Sequence, residues 1–319
     1  MIARVICTGC LLIAVLSAVF AQASGPRVEL SLIVTDKDKK AVSSISKETI
    51  RIVEDKVEQT VLSVEADERP IDYALVIDSS GSMRSLLPNV VQAARLIITS
   101  GRPSDQFFIE RFVSSDKIVR IQDFTSEVQT LNRALDSLFV EGGLSAVLDG
   151  VYVGAAYLAK HNKNVTGRRK VLILISDGED RNSQTKIDEL LEQLRKEDMQ
   201  VFVVGLITEL DEEAGSVRRS PREKAKQLLT TIAEESGGRA FFPRKKDDLA
   251  GSAAQIITDL RSQFRITYQS SNEIVKSGLR KVEVNLISPG GEKRNVIAPR
   301  SYYVDSKDVQ VKPTEKKSP

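Results

Sequence analysis

Tyr73-Ala-Leu-Val-Ile77-Asp78-Ser79-Ser80-Gly81-Ser82-Met83 passes without a break from five apolar residues into a run of small, oxygen-bearing ones. A continuously apolar stretch of this length suits a strand covered on both faces, and the polar run that ends it suits a tight loop at the strand's carboxyl end. Lys170-Val-Leu-Ile-Leu-Ile175 and Gln200-Val-Phe-Val-Val-Gly205 repeat the apolar pattern. Between them the apolar residues recur at helical spacing over Leu86–Ser100, Val128–Leu138, Ala146–Ala159, Lys186–Glu197 and Ala225–Glu235. Phe107–Phe112 and Lys117–Gln122 read as a hairpin, Arg239–Phe242 as a last strand, and Leu249–Phe264 as a closing helix. Alternating strands and helices with one hairpin predict an α/β domain over residues 70–264: a doubly wound, mostly parallel sheet with one antiparallel edge.

The flanks have a different rhythm. Residues 24–69 alternate apolar and polar in Arg27–Val34, Ile50–Glu54 and Gln59–Val64, and residues 265–304 do so in Arg265–Tyr268, Arg280–Leu286 and Asn295–Ile297. Neither half has enough strands to bury a core alone, so the two are expected to pair as one sandwich-like β domain with the α/β domain inserted between them. Residues 1–23, with Arg4 before an apolar run and Ala21-Gln22-Ala23 at its end, read as a signal peptide; 305–319 read as a disordered tail. Both cysteines, Cys7 and Cys10, fall in the signal segment, so the mature chain is held by packing without disulfides. Export follows as the expected localisation: periplasmic, envelope-associated or secreted in a bacterium, with membrane contact only if the signal segment is retained. The 46 basic and 44 acidic residues balance, which gives no electrostatic reason to expect nucleic acid as partner.

Three loops meet where an open α/β sheet binds ligands, beyond the carboxyl ends of its central strands. They are Asp78–Met83, Gly142–Ala146 and Ser176–Asp180. Asp78, Ser80, Ser82, Ser145 and Asp177 are the candidate ligands, a set of hydroxyls and carboxylates with no His or Cys. Such hard oxygen donors suit Mg²⁺, or Mn²⁺ or Ca²⁺, rather than zinc or copper. With only two carboxylates, the set leaves a bound cation attractive to a further carboxylate from an Asp or Glu of a partner protein or ligand.

Asp78-Ser-Ser-Gly-Ser82 resembles the D-x-S-x-S motif of the metal-ion-dependent adhesion site in von Willebrand factor type A domains, and Gly142-Gly143-x-Ser145 and Ser176-Asp177-Gly178 stand at fitting intervals for its second and third loops. Ser145 stands where the family usually has threonine. The flanks, with Val34-Thr35-Asp36, Ile50–Asp55, Arg280–Val284 and Tyr302-Tyr303, resemble an exported bacterial subgroup. The resemblance implies a Rossmann-like fold and a binding role without catalysis: a metal-dependent, adhesion-type module.

The same residues admit other roles. Asp78 and the serines could cap a helix or form a turn. A structural scaffold with a vestigial site is the main alternative. A hydrolase would need Ser80 or Ser82 beside the single His161, an aspartyl-phosphate enzyme would want an acid where Ser80 stands, and a phosphate-binding loop would need a lysine that the Asp78 loop lacks. The charged stretch Glu209–Lys224 reads as a solvated loop.

Overall fold

The computed structural model describes residues 26–210, 219–245, 248–272, 277–287 and 293–304. The signal segment, both cysteines, the Pro289-Gly-Gly291 turn, the tail and the middle of the charged stretch lie outside the described residues. The elements are β1 (Arg27–Thr35), β2 (Ile50–Glu54), β3 (Val57–Ala66), β4 (Ile71–Asp78), α1 (Leu87–Thr99), β5 (Gln106–Phe112), β6 (Ile118–Thr125), α2 (Val128–Asp136), α3 (Val147–His161), β7 (Arg169–Ser176), α4 (Ile187–Lys196), β8 (Met199–Gly205), α5 (Pro221–Glu235), β9 (Ala240–Phe241), α6 (Leu249–Arg261), β10 (Phe264–Gln269), β11 (Gly278–Leu286), β12 (Asn295–Ile297) and β13 (Ser301–Val304). Among the described residues no helix is long and apolar enough to cross a membrane.

All eight residues of β4 are buried because helices cover both of its faces. Ile71, Tyr73, Leu75 and Ile77 enter one core with α1, α2 and α6, whereas Ala74 and Val76 enter a second with α3, α4 and α5. The sheet order is β6-β5-β4-β7-β8-β9, parallel throughout except for the expected β5–β6 hairpin. After β4 the chain winds to one side and after β7 to the other. The carboxyl ends of these two central strands therefore flank the crevice at the switch point, where such folds hold ligands.

The flanking segments form one antiparallel sheet, β12-β1-β10-β3-β2-β11-β13, which draws strands from both sides of the α/β domain as expected. Its two edge strands, β12 and β13, are separated by only residues 298–300, so the sheet curls over its own core of Leu30, Leu32, Ile52, Ile266 and Tyr268. Glu54 is fully buried inside it and accepts hydrogen bonds from the Tyr268 and Tyr302 hydroxyls, Ser270 Oγ and Asn272 Nδ2 at 2.7–3.0 Å.

Two expectations need correction. The closing helix stops at Arg261 rather than Phe264, because Phe264 is taken into β10 opposite Ala66 and Leu32. Helix α5 begins at Pro221, so the end of the charged stretch is its first turn. Ser220 and Glu223 form a reciprocal capping box there, and proline is well suited to the first helical position.

Candidate metal centre

Asp78 is the last residue of β4 and is completely buried. Its Oδ2 accepts from Ser176 Oγ at 2.7 Å and Ser145 Oγ at 3.0 Å, and its Oδ1 accepts from the Ser80 amide at 2.9 Å. One carboxylate thus ties together all three loops. Residues Gly81–Ser85 coil into a 3₁₀ turn that brings Ser80 Oγ and Ser82 Oγ to 3.1 Å. Ser82 is exposed while Ser80, Ser145 and Asp177 are buried, so the cluster opens to solvent on the Ser82 side.

The backbone braces this arrangement. The Ser79 amide donates to the Phe112 carbonyl, the Glu141 amide to the Ser79 carbonyl, the Ala146 amide to the Val113 carbonyl, and the Arg181 and Asn182 amides to the Ser145 carbonyl. Gly178 takes a positive φ of 76° where its missing Cβ would lie 2.6 Å from Leu229 Cδ1, a packing demand that glycine alone meets without strain.

The capping role fails on geometry. Ser80 makes no side-chain cap bond, α1 starts later with Leu86 at its cap position, and Ser145 Oγ is spent on Asp78. The first turn of α3 is served instead by Asp180, whose Oδ1 accepts from the Val147 amide at 2.8 Å.

Burial, followed by the charge of Asp177 and only partly opposed by the bonds from Ser80 and Ser176, pushes the Asp78 carboxyl up to about 6. Asp177 Oδ1 accepts from the Glu179 amide at 3.0 Å, but its Oδ2 is buried with no hydrogen-bond partner. An orphaned carboxylate oxygen, two neighbouring acids and paired hydroxyls form a donor set that fits a hard divalent cation. Among the described residues no group of three or more His, Cys, Asp or Glu side chains is arranged for a metal, so hydroxyls would have to supply much of any coordination.

All five candidate residues are brought together. Three supporting residues were not singled out by the sequence. Ser176 was signalled only as a polar residue closing an apolar strand; Asp180 caps α3; and Asp149 accepts from the Gln184 and Thr185 amides at 2.9 and 2.8 Å, fixing the far end of the third loop. His161 lies elsewhere, stacked on Phe124 with Nε2 3.1 Å from Gln106 Oε1. Gln106 pairs with Asp72, six residues before Asp78 on β4, which at roughly 3.3 Å per residue is about 20 Å from the serines.

Fold and site together define a doubly wound α/β domain with a hydroxyl-rich cluster around two carboxylates at its switch point. Residues 72–258 match the von Willebrand factor type A domain family, more than half of the 319-residue chain, and the protein belongs to that family. Similar solved structures include a von Willebrand factor type A protein from Catenulispora acidiphila, at 14% identity and TM-score 0.47, covering 87% of this chain and 74% of that one. An aerotolerance-related membrane protein from Bacteroides fragilis matches at 16% identity and TM-score 0.44, covering 59% and 98%. Proximal thread matrix protein 1 from the mussel byssus, with a zinc-occupied adhesion-site motif, matches at 18% identity and TM-score 0.47, covering 65% and 49%. No curated protein matches the chain.

Proposed function

We propose that this protein is a non-enzymatic binding module that holds a divalent cation, Mg²⁺ in the first instance and Mn²⁺ or Ca²⁺ as alternatives, and uses it to grip an Asp or Glu carboxylate of a partner protein or ligand. The observation that carries this reading is the pair of buried acids, Asp78 and Asp177, with the second oxygen of Asp177 left without a partner. Ser80, Ser82 and Ser145 offer neutral oxygens, and Asp78 and Asp177 offer charge, directly or through water. A bound cation would supply a Lewis-acidic site with an affinity for carboxylate. The chain's own residues fix the loops, exclude water from the Asp78 side and leave the Ser82 side open.

The distance between His161 and the serines speaks against a serine–histidine hydrolase. The N-terminal pattern of residues 1–23 supports export to the envelope or beyond. The test is isothermal titration of the mature chain with Mg²⁺, Mn²⁺ and Ca²⁺ beside Asp78→Ala. Saturable binding that the substitution abolishes is expected. Absence of binding to all three ions would favour a scaffold role with a vestigial site.

A further inference from the structure

We propose that a cleft between the edges of the two sheets is a second binding site, one that takes an acidic peptide segment as an added β-strand. It shares no residue with the metal centre and stands or falls independently of it.

A cavity of about 630 Å³ is lined both by β9, the edge of the six-stranded sheet, and by β12, an edge of the seven-stranded one. Each edge leaves main-chain groups there. The Val203 amide donates to the Arg239 carbonyl, so alternation along β9 turns the N–H and C=O of Ala240 away from β8. The Ser270 amide donates to the Pro26 carbonyl, so the even-numbered residues of β1 bond towards β10, and Ile33 and Thr35 bond towards β12. Val296, between the partners of those two residues, therefore turns its N–H and C=O away from β1. Ala240 and Val296 both line the cavity. An extended peptide has the same groups to satisfy, and open strand edges are what it pairs with.

The walls are set in place by contacts of their own. Lys226, Thr230 and Glu234 follow at four-residue intervals on α5 and form one side. Arg300, on the connection between β12 and β13, reaches Glu234 and Glu235 of that helix at 3.0 and 2.9 Å. Beside the cleft, Gly237 passes Pro299 so closely, at a φ of 77°, that a Cβ there would stand 2.6 Å from Pro299 Cδ. A cleft held this way contributes to binding without first losing the freedom that mobile walls would lose.

Charge selects the partner. Of the charged residues on the walls, Arg300 is matched by Glu234 and Glu235, and Arg239 by the buried Asp259 at 3.0 Å. Glu235 is shared with Arg195. Lys39 and Lys226 have no ion pair among the described residues. Asp36 and Asp38, in the turn that carries Lys39, are offset by Lys37 and Lys40, and Asp36 Oδ1 accepts from the Asp38 and Lys40 amides. Beside Lys226, Glu223 is held in the capping box, and Arg222 and Lys224 add positive charge. The side chains of Thr35, Thr230 and Asn295 line the same cavity with no hydrogen-bond partner among the described residues. Two ammonium groups, two hydroxyls and an amide beside open strand edges suit carboxylates carried on an extended main chain. Phe242, with its ring centroid 5.8 Å from Lys226 Nζ, adds an apolar contact for the residues between the acids.

The test uses the mature chain in EDTA, so that no metal-bridged acid contributes, and labelled peptides of about eight residues, the length of an ordinary strand. One peptide alternates Glu with Val, a second alternates Lys with Val, and a third is the Glu–Val peptide with its central Val residues replaced by Pro, which removes main-chain donors and keeps the charge. A labelled oligogalacturonate of the same charge serves as an anion without a peptide backbone. Binding is read by fluorescence polarisation. The Glu–Val peptide should bind about tenfold more tightly than the other three probes, and the double substitution Lys39→Gln with Lys226→Gln should weaken it about tenfold while thermal unfolding stays as in the parent. Equal binding of the Pro-containing peptide would overturn strand addition. Equal binding of the Lys–Val peptide, or of the Glu–Val peptide by the double variant, would overturn the charge argument. An oligogalacturonate that binds as tightly would make the cleft a general anion site and overturn the peptide assignment, and a Glu–Val peptide that fails to bind would overturn the proposal outright.

Discussion

Replacing Glu110 by glutamine should flatten the dependence of stability on pH across the neutral range. Glu110 lies in β5 between Phe108 and Phe112, whose side chains share its face, and is 1% exposed with Oε1 buried and unpartnered. Its register neighbours are Val76 on β4 and Arg120 on β6, and α3 faces it at Gly154, where a Cβ would come within 3.2 Å of that oxygen. The opposing cation, Arg120, sits over the Tyr157 ring. Burial pushes the Glu110 carboxyl up to about 7, with Arg120 working against the shift. Between 4.5 and about 7 the folded chain keeps a proton that the unfolded chain releases, so stability falls as pH rises through that window and the whole cost is present above it. At about 1.4 kcal/mol per pH unit the cost is about 3 kcal/mol. Urea denaturation of parent and Glu110→Gln in EDTA, from about pH 4.5 to about pH 8.5, reads this directly. Burying the Gln amide adds a pH-independent offset, and Asp78 titrates in both proteins, so the informative quantity is the change in their difference. That difference should move by about 3 kcal/mol in favour of the variant. Curves that run parallel within about 0.5 kcal/mol would refute the burial argument.

Three further outcomes are expected. Asp78→Asn removes a carboxyl that burial raises to about 6, so the metal-free variant should be at least as stable as the parent at about pH 7.5, yet lose the rise in melting temperature that Mg²⁺ gives the parent; thermal melts with and without Mg²⁺ check this, and an equal Mg²⁺ response in both would contradict it. Gly178→Ala should cost about 1–3 kcal/mol in thermal unfolding and weaken Mg²⁺ binding in the same titration, because the new Cβ meets Leu229 at a positive φ beside Asp177. Asp67 is pushed up by burial, but the hydrogen bond from Arg69, the charge of Arg169 and the Ser31 hydroxyl outweigh this and hold it at about 2. Asp67→Asn should therefore cost about 2 kcal/mol at neutral pH, with the loss fading as pH falls from 3.8 towards 2 in acid denaturation.

The α/β half of the chain was legible because its signals are local. Strands β4, β7 and β8 are apolar runs of the kind that only double coverage produces, and the loop motifs stand immediately after two of them. Asp78, Ser80, Ser82 and Asp177 follow from that placement, whereas Ser145 stands just before α3, in a loop that no strand precedes. The pairing of the flanks was reachable by counting strands, but the curl was not: it depends on β12 and β13 being joined across the seam, and β13 is a four-residue strand with no alternating pattern long enough to read. Glu54 was equally hidden, since its four donors lie more than 200 positions away in sequence. Glu110 looked like an ordinary polar position in a hairpin strand, and only the closeness of α3 at Gly154 makes it a buried acid. The apolar spacing marks α5 only from Ala225, because its first turn, Pro221–Lys224, is polar and charged and is set by the Ser220–Glu223 capping box.

The way the α/β domain joins the β sheet governs how it would carry mechanical load. The chain leaves β3 at Ala66 and returns at Phe264, and these two residues are direct partners on neighbouring strands. A pull on the loops at the far end of β4 would reach the sheet through both connections at once and divide between β3 and β10. Each of these strands is hydrogen-bonded on both sides, β10 to β1 and β3, β3 to β10 and β2. No edge strand stands in the line of tension to be peeled away residue by residue, so detachment would require interior strands to shear past their neighbours together.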